Sequence, residues 1–161
     1  MRAPLAMTFA LTALLSLSPA RAAAPYAWNA VDNGELVQFS RPDTDDGSDS
    51  DDRLLRVDCD DQGHIYIGGP FASGAANGDT SGEGNSVTFE SGTFHEARMA
   101  EMVRYGNGAE FSALVDEHDP AIEALLRGQS LTITHAGRRW TVPGRGAAPM
   151  LRRLLDICRP G

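Results

Sequence analysis

The sequence predicts a mainly β fold: an antiparallel β-sandwich or barrel-like domain with two short peripheral helices, the last one C-terminal. Short apolar runs with partial two-residue alternation recur along the chain from Tyr26 to Val142. Turn signals separate them about every 8–12 residues, enough for about eight or nine strands. Helix punctuation appears only in the last third, around Asp119–Gly128 and Ala147–Cys158, as peripheral helices on a β core require.

Tyr26 to Asp32 and Glu35 to Ser40 read as two strands, and Asn33-Gly34 between them is a two-residue hairpin signal. Arg41 to Asp52 holds six aspartates with Pro, Gly and Ser; such a stretch cannot bury a face and is expected to be an exposed loop. Arg53 to Cys59 places Leu55, Val57 and Cys59 on one face, with Leu54 breaking the alternation. Asp60-Asp61-Gln62-Gly63 is a turn, and His64 to Ile67 completes a second hairpin. Gly68 to Asn85 is Gly-, Ser- and Ala-rich and is expected to be a loop.

Ser86 to Glu90 is a strand with Val87 and Phe89 inward, closed by a turn at Ser91-Gly92. Thr93 to Tyr105 supports both periods; the flanking turns favour a strand in a meander, and the helical alternative stays open. Ala109 to Val115 is a strand with Phe111, Ala113 and Val115 on one face. Asp119 can cap a short helix over Ala121–Arg127, with Pro120 at its first position and Gly128 at its exit. Leu131–Thr134 and Trp140–Val142 flank the hairpin turn Ala136-Gly137. In the last helix Leu151, Leu154, Leu155 and Cys158 share one face at helical spacing.

Residues 1–22 read as a secretory signal peptide: Arg2 is the positive start, Leu5–Leu17 the apolar run, and Ala20-Arg21-Ala22 a small-x-small cleavage site. Cleavage is expected after Ala22 or Ala24, leaving residues 23–161 as one β-sandwich domain in the periplasm or medium. No second apolar stretch approaches a membrane span, so the mature form is expected to have none. In an oxidising compartment Cys59 and Cys158 are expected to form a disulfide.

The chain carries 14 basic and 22 acidic residues, a net charge of −8, and becomes more negative when Arg2 and Arg21 leave with the signal. That balance disfavours nucleic acid and anionic lipid as partners. All the basic residues are Arg, which excludes Schiff-base, Walker and Ser-x-x-Lys lysine chemistry.

Catalytic motifs fail residue by residue. Thr88 stands where the second Gly of a nucleophile elbow beginning at Gly84 belongs, and Phe111 replaces the third Gly of a dinucleotide fingerprint beginning at Gly106. Met99 replaces the second His of a zinc motif begun by His95-Glu96. The four His (64, 95, 118, 135) have no ligand spacing, and Asp116, Glu117 and Asp119 read as capping and favourable charge at a helix start. No catalytic or cofactor-binding residue is assigned. The one candidate metal set is Asp43, Asp45, Asp46, Asp49, Asp51 and Asp52, an oxygen-rich loop suited to Ca²⁺ though not in EF-hand order, with Asp58, Asp60 and Asp61 able to join across the hairpin.

In the C-terminal part, Asp119-Pro120, Leu125-Leu126-Arg127-Gly128, Leu131-Thr132-Ile133, Val142-Pro143-Gly144 and Leu154-Leu155-Asp156-Ile157-Cys158 follow in order. This pattern, over residues 110–158, resembles small exported proteins of alphaproteobacterial type and is distantly similar to the invasion-associated locus B family. The resemblance implies an envelope β-sandwich without enzymatic function, and it identifies no functional residue.

The expectation is an exported, acidic, non-enzymatic binding or accessory module acting on an envelope protein or small ligand. Its contact surfaces are expected at the Asp loop, the 68–85 loop and the exposed aromatics Tyr26 and Trp28, because loops on a rigid sandwich commonly carry recognition. Two other readings stand beside it: a structural protein stabilised by Ca²⁺ at Asp43–Asp52, and a hydrolase assembled by the fold from scattered Asp and His.

Overall fold

Two antiparallel sheets face each other, and two helices close one side. A computed structural model describes residues 25–41, 53–70, 86–105 and 108–159; the signal segment, the Asp loop and residues 71–85 lie outside them. Ten strands are present among the described residues: β1 (Ala27–Val31), β2 (Leu36–Ser40), β3 (Arg53–Cys59), β4 (Ile65–Pro70), β5 (Ser86–Ser91), β6 (Phe94–Met99), β7 (Glu101–Tyr105), β8 (Gly108–Val115), β9 (Leu131–His135) and β10 (Arg138–Val142). Helix α1 (Pro120–Leu126) follows β8, and α2 (Ala148–Cys158) ends the fold. The larger sheet runs β1-β2-β3-β4-β8-β7 and the smaller β10-β9-β5-β6. This is the sandwich-like architecture the alternation implies.

The core lies between the inner faces. Val37, Leu55, Val57 and Ile67 of the larger sheet and Val87, Phe89, Leu131 and Ile133 of the smaller are completely buried. Each such side chain contributes about 1.5–3 kcal/mol relative to exposure. Phe111 of β8 touches Phe89, His135 and Trp140 across the gap, with centroids 6.4, 5.2 and 6.2 Å away.

The smaller sheet does not cover the larger one. Its edge strand β10 reaches β3, where Trp140 Nε1 donates to the Leu54 carbonyl at 2.9 Å. Strands β1 and β2 extend beyond that point. Helix α2 packs against β2 and β3 there, burying Leu151, Leu154, Leu155 and Cys158, the face expected from their spacing. Cys158 is bonded to Cys59 on β3, with Cα atoms 5.9 Å apart. Helix α1 starts as expected: Asp119 Oδ1 accepts from the Ala121 amide at 2.9 Å.

Several local expectations are corrected. The first hairpin does not turn on two residues: Val31 opposes Leu36, so Asp32–Glu35 form a four-residue loop, with Asp32, Asn33 and Gly34 all at positive φ. Helix α2 leaves no room for a side chain within this loop: a Cβ on Gly34 would meet Arg153 Nε at 3.0 Å and Ile157 Cδ1 at 3.3 Å. Leu54 breaks the alternation because it is the extra residue of a β-bulge: Phe39 opposes Leu55, and Ser40 opposes Arg53. Over residues 93–105 the strand reading holds and the helical alternative does not, but the segment is two strands rather than one. The chain changes sheets at buried Ala100, β6 pairing with β5 and β7 with β8. Gly68, Gly69 and Pro70 belong to β4 rather than to a loop. The start of β4 and the turn before it, the β5–β6 turn at Gly92-Thr93 and the Ala136-Gly137 turn lie within a residue of expectation.

Candidate binding cleft

Where β1 and β2 overhang, their inner face meets the loop before α2. Trp28 opposes Phe39 in the β1–β2 register, so both rings point the same way. Tyr26 stacks on Phe39 at 5.8 Å and 21°, and Trp28 tilts against it at 5.4 Å and 53°. Pro143, Arg145, Gly146 and Met150 form the facing wall of a cleft of about 370 Å³. Trp28 Nε1 donates to the Pro143 carbonyl at 2.7 Å, which ties wall to strand and consumes the indole's donor. The Arg41 guanidinium lies 4.9 Å over the Tyr26 ring, within cation–π range. The cleft thus offers ring faces, carbon surface and the exposed guanidinium of Arg145. Tyr26 and Trp28, expected to be exposed, are half-buried in it, because Pro143 and Met150 come over them from the end of the chain.

The outer face of the larger sheet holds a charged cluster that sequence reasoning missed. Glu110 on β8 is fully buried and Arg56 on β3 is 3 % exposed. Arg56 Nε donates to Glu110 Oε2 at 2.8 Å, and Arg53 Nη2 sits 2.9 Å from Glu110 Oε1 in a less aligned ion pair. Arg56 also pairs with Asp58 and reaches Ser112 Oγ at 3.3 Å. Arg56, Gly68 and Ser112 are successive cross-strand neighbours. Gly68 makes this possible, since a Cβ there would lie 2.5 Å from Arg56 Nε. Burial pushes the Asp58 carboxyl above its usual range despite Arg56. The signal available in the sequence was a glycine opposite an arginine on the supposed solvent face, legible only once the β3–β4 register is known.

The remaining candidates are dispersed. Asp60 organises the β3–β4 turn, its carboxylate accepting from the Gln62 and His64 amides at 2.9 Å. His64 Nδ1 lies 2.9 Å away, and this contact foremost holds Asp60 down to about 2. His95 pairs with Glu90 and His118 with Glu117 at the surface. His135 is buried, its Nδ1 3.1 Å from the Ser86 carbonyl, and burial lowers its pKa. Asp116 accepts from the His118 amide, while Asp119 caps α1 and holds Arg98 Nη2 at 3.0 Å. Asp61 is exposed in the turn. Asp43, Asp45, Asp46, Asp49, Asp51 and Asp52 lie outside the described residues. Among those described, no three His, Cys, Asp or Glu side chains converge as a metal site, and no helix is long and apolar enough to cross a membrane.

No family model, curated protein or solved structure matches this chain.

Proposed function

We propose that the chain is an exported, disulfide-bonded binding or accessory module of the cell envelope that engages its partner through the Tyr26–Trp28–Phe39 cleft. The cleft carries this reading. An open aromatic recess of about 370 Å³ is within the size range of ligand sites, with apolar walls and few polar groups. Half-buried Trp and Tyr are the residue types that dominate binding energy at interfaces. The signal-like residues 1–22, the disulfide and the resemblance of residues 110–158 to exported envelope proteins support the location.

The test is site-specific photocrosslinking in cells exporting the tagged protein. A photoreactive residue replaces Ala27, which is exposed and borders the cleft, or Met99, which is 75 % exposed on β6. A discrete adduct from position 27 and none from position 99 is expected. Equal labelling at both positions, or none at 27, refutes the cleft as the contact face. Retention of an uncleaved precursor in the cytoplasm refutes export.

A further inference from the structure

Strand β1, which forms one wall of the cleft, is also a sheet edge: among the described residues nothing pairs with its outer side. Edge strands present unpaired amides and carbonyls, and proteins guard them with charges or proline. The other three edges are guarded. Strand β6 carries His95, Glu96 and Arg98, β7 carries Glu101, and β10 carries Arg138 and Arg139. Strand β1 reads Ala-Trp-Asn-Ala-Val, without a charge or a proline. Its Asn29 donates to Ser40 Oγ at 2.9 Å, while its buried Oδ1 has no hydrogen-bond partner among the described residues.

Charge selects the occupant. From Arg127 to the end the chain has seven arginines and one acidic residue, Asp156, in a protein whose net charge is −8. Arg127, Arg139 and Arg159 are paired with glutamates. Arg145, in the wall facing β1, has no acidic partner among the described residues. The acidic Asp32 and Glu35 stand at the other end of β1, so an incoming carboxylate belongs beside Arg145, at the Tyr26 end. The cleft lining holds no carboxylate or amide side chain to read sugar hydroxyls. A second copy would bring its own Arg145 to the same face.

Resting on the cleft reading, we infer that β1 takes up an extended acidic peptide segment of a partner protein. The segment adds a strand to the larger sheet, places an apolar side chain against Trp28 and Phe39, and sets a carboxylate on Arg145. Backbone pairing would supply affinity, and the cleft and arginine specificity.

The probe is a short fluorescein-labelled peptide with a glutamate two residues from a valine and threonine between them, so that both side chains fall on the cleft face, with a lysine-for-glutamate peptide as control, followed by anisotropy on the folded mature chain. The acidic peptide is expected to bind, the basic one not, and Arg145→Glu to weaken binding at least about tenfold. Ala27→Pro and Ala30→Pro separate strand addition from simple cleft occupancy. Successive residues point their amides to opposite edges, so residues 27 and 30 differ, and only one amide faces outward. The better-folded variant of the two should lose the acidic peptide. Binding that survives in it, yet depends on Arg145, overturns strand addition and leaves the cleft reading intact. No binding by the wild type, or a dimer that this proline dissolves, overturns the inference. The position-27 crosslink decides separately whether the cleft reading falls with it.

Discussion

Replacing Glu110 by Gln tests whether the charged cluster on the outer face of the larger sheet is dry. Glu110 has no solvent exposure, and two arginines converge on its oxygens at 2.8 and 2.9 Å. Gln keeps the shape and removes the charge. Arg56 would retain Asp58 and Ser112, and the Arg53 side chain, 11 % exposed, would turn toward water. Removing one partner of a buried ion pair costs about 3–5 kcal/mol. The retained Asp58 argues for the lower end, about 3 kcal/mol. At about 3–4 °C per kcal/mol for a domain of this size, the melting temperature falls by about 10 °C. Circular dichroism melts of the mature protein at neutral pH, with urea titrations for the free energy, measure it. Gly68→Ala should cost a similar amount in the wild type, because its Cβ intrudes 2.5 Å from Arg56 Nε. In an Arg56→Met background the same change should cost much less, the signature of two residues sharing one space. A Glu110→Gln protein that melts within about 2 °C of wild type would refute the reasoning, since water would then be solvating the guanidinium groups.

Three other perturbations probe the frame around the cleft. The Cys59–Cys158 bridge closes a loop with a sequence separation of 99. Its replacement by two serines should remove about 4.7 kcal/mol on the chain-entropy model, read as an earlier urea midpoint that reductant no longer moves. Gly144→Ala should destabilise by at least about 1–3 kcal/mol, because its Cβ would stand 2.1 Å from the Gln129 carbonyl oxygen; a wild-type melting temperature would contradict that contact. The folded-state pKa of His135 is lowered by burial, so the unfolded chain binds the proton more readily. Stability should therefore be full above the ordinary histidine pKa of 6.5 and decline as the pH falls toward the folded value. His135→Gln should reduce that slope between about pH 5 and 7, and an unchanged slope would assign it to other groups.

What the sequence disclosed and what it withheld divide along contact range. The Ala136-Gly137 turn, the Asp119 cap and the Leu151–Leu154–Leu155–Cys158 face are local: each depends on residues within about two helical turns or one hairpin. They stand where their spacing puts them. The Leu54 bulge, the sheet change at Ala100 and the four-residue loop at Asp32–Glu35 depend on partners elsewhere in the chain. Leu54 is held by Trp140, and Gly34 by Arg153 and Ile157. The charged cluster was hidden for the same reason. Alternation correctly puts Arg56 and Glu110 opposite the core face, and only the strand order makes them neighbours under cover. Tyr26 and Trp28 could be singled out as aromatics near the chain's start, but their wall, Pro143 to Met150, lies more than a hundred residues on.

The unequal sheets explain why a cleft opens under β1. Six strands oppose four, so the inner faces of β1 and β2 have no sheet above them. Their apolar side chains, Val37, Phe39 and Trp28, need cover, and α2 provides it over β2 and β3. Helix α2, about 10–12 Å across with its side chains, lies over β2 and β3, and β1 is a further strand spacing of about 4.8 Å outward. Cys158 fixes the end of α2 over β3, toward the middle of the sheet, and that anchoring leaves the shortfall at β1. The Trp28–Pro143 hydrogen bond ties the loop before α2 to β1 across part of it. The cleft follows from that mismatch and lies beside an edge strand whose own sequence carries no charge, which is why a ligand that adds to β1 would fill both at once.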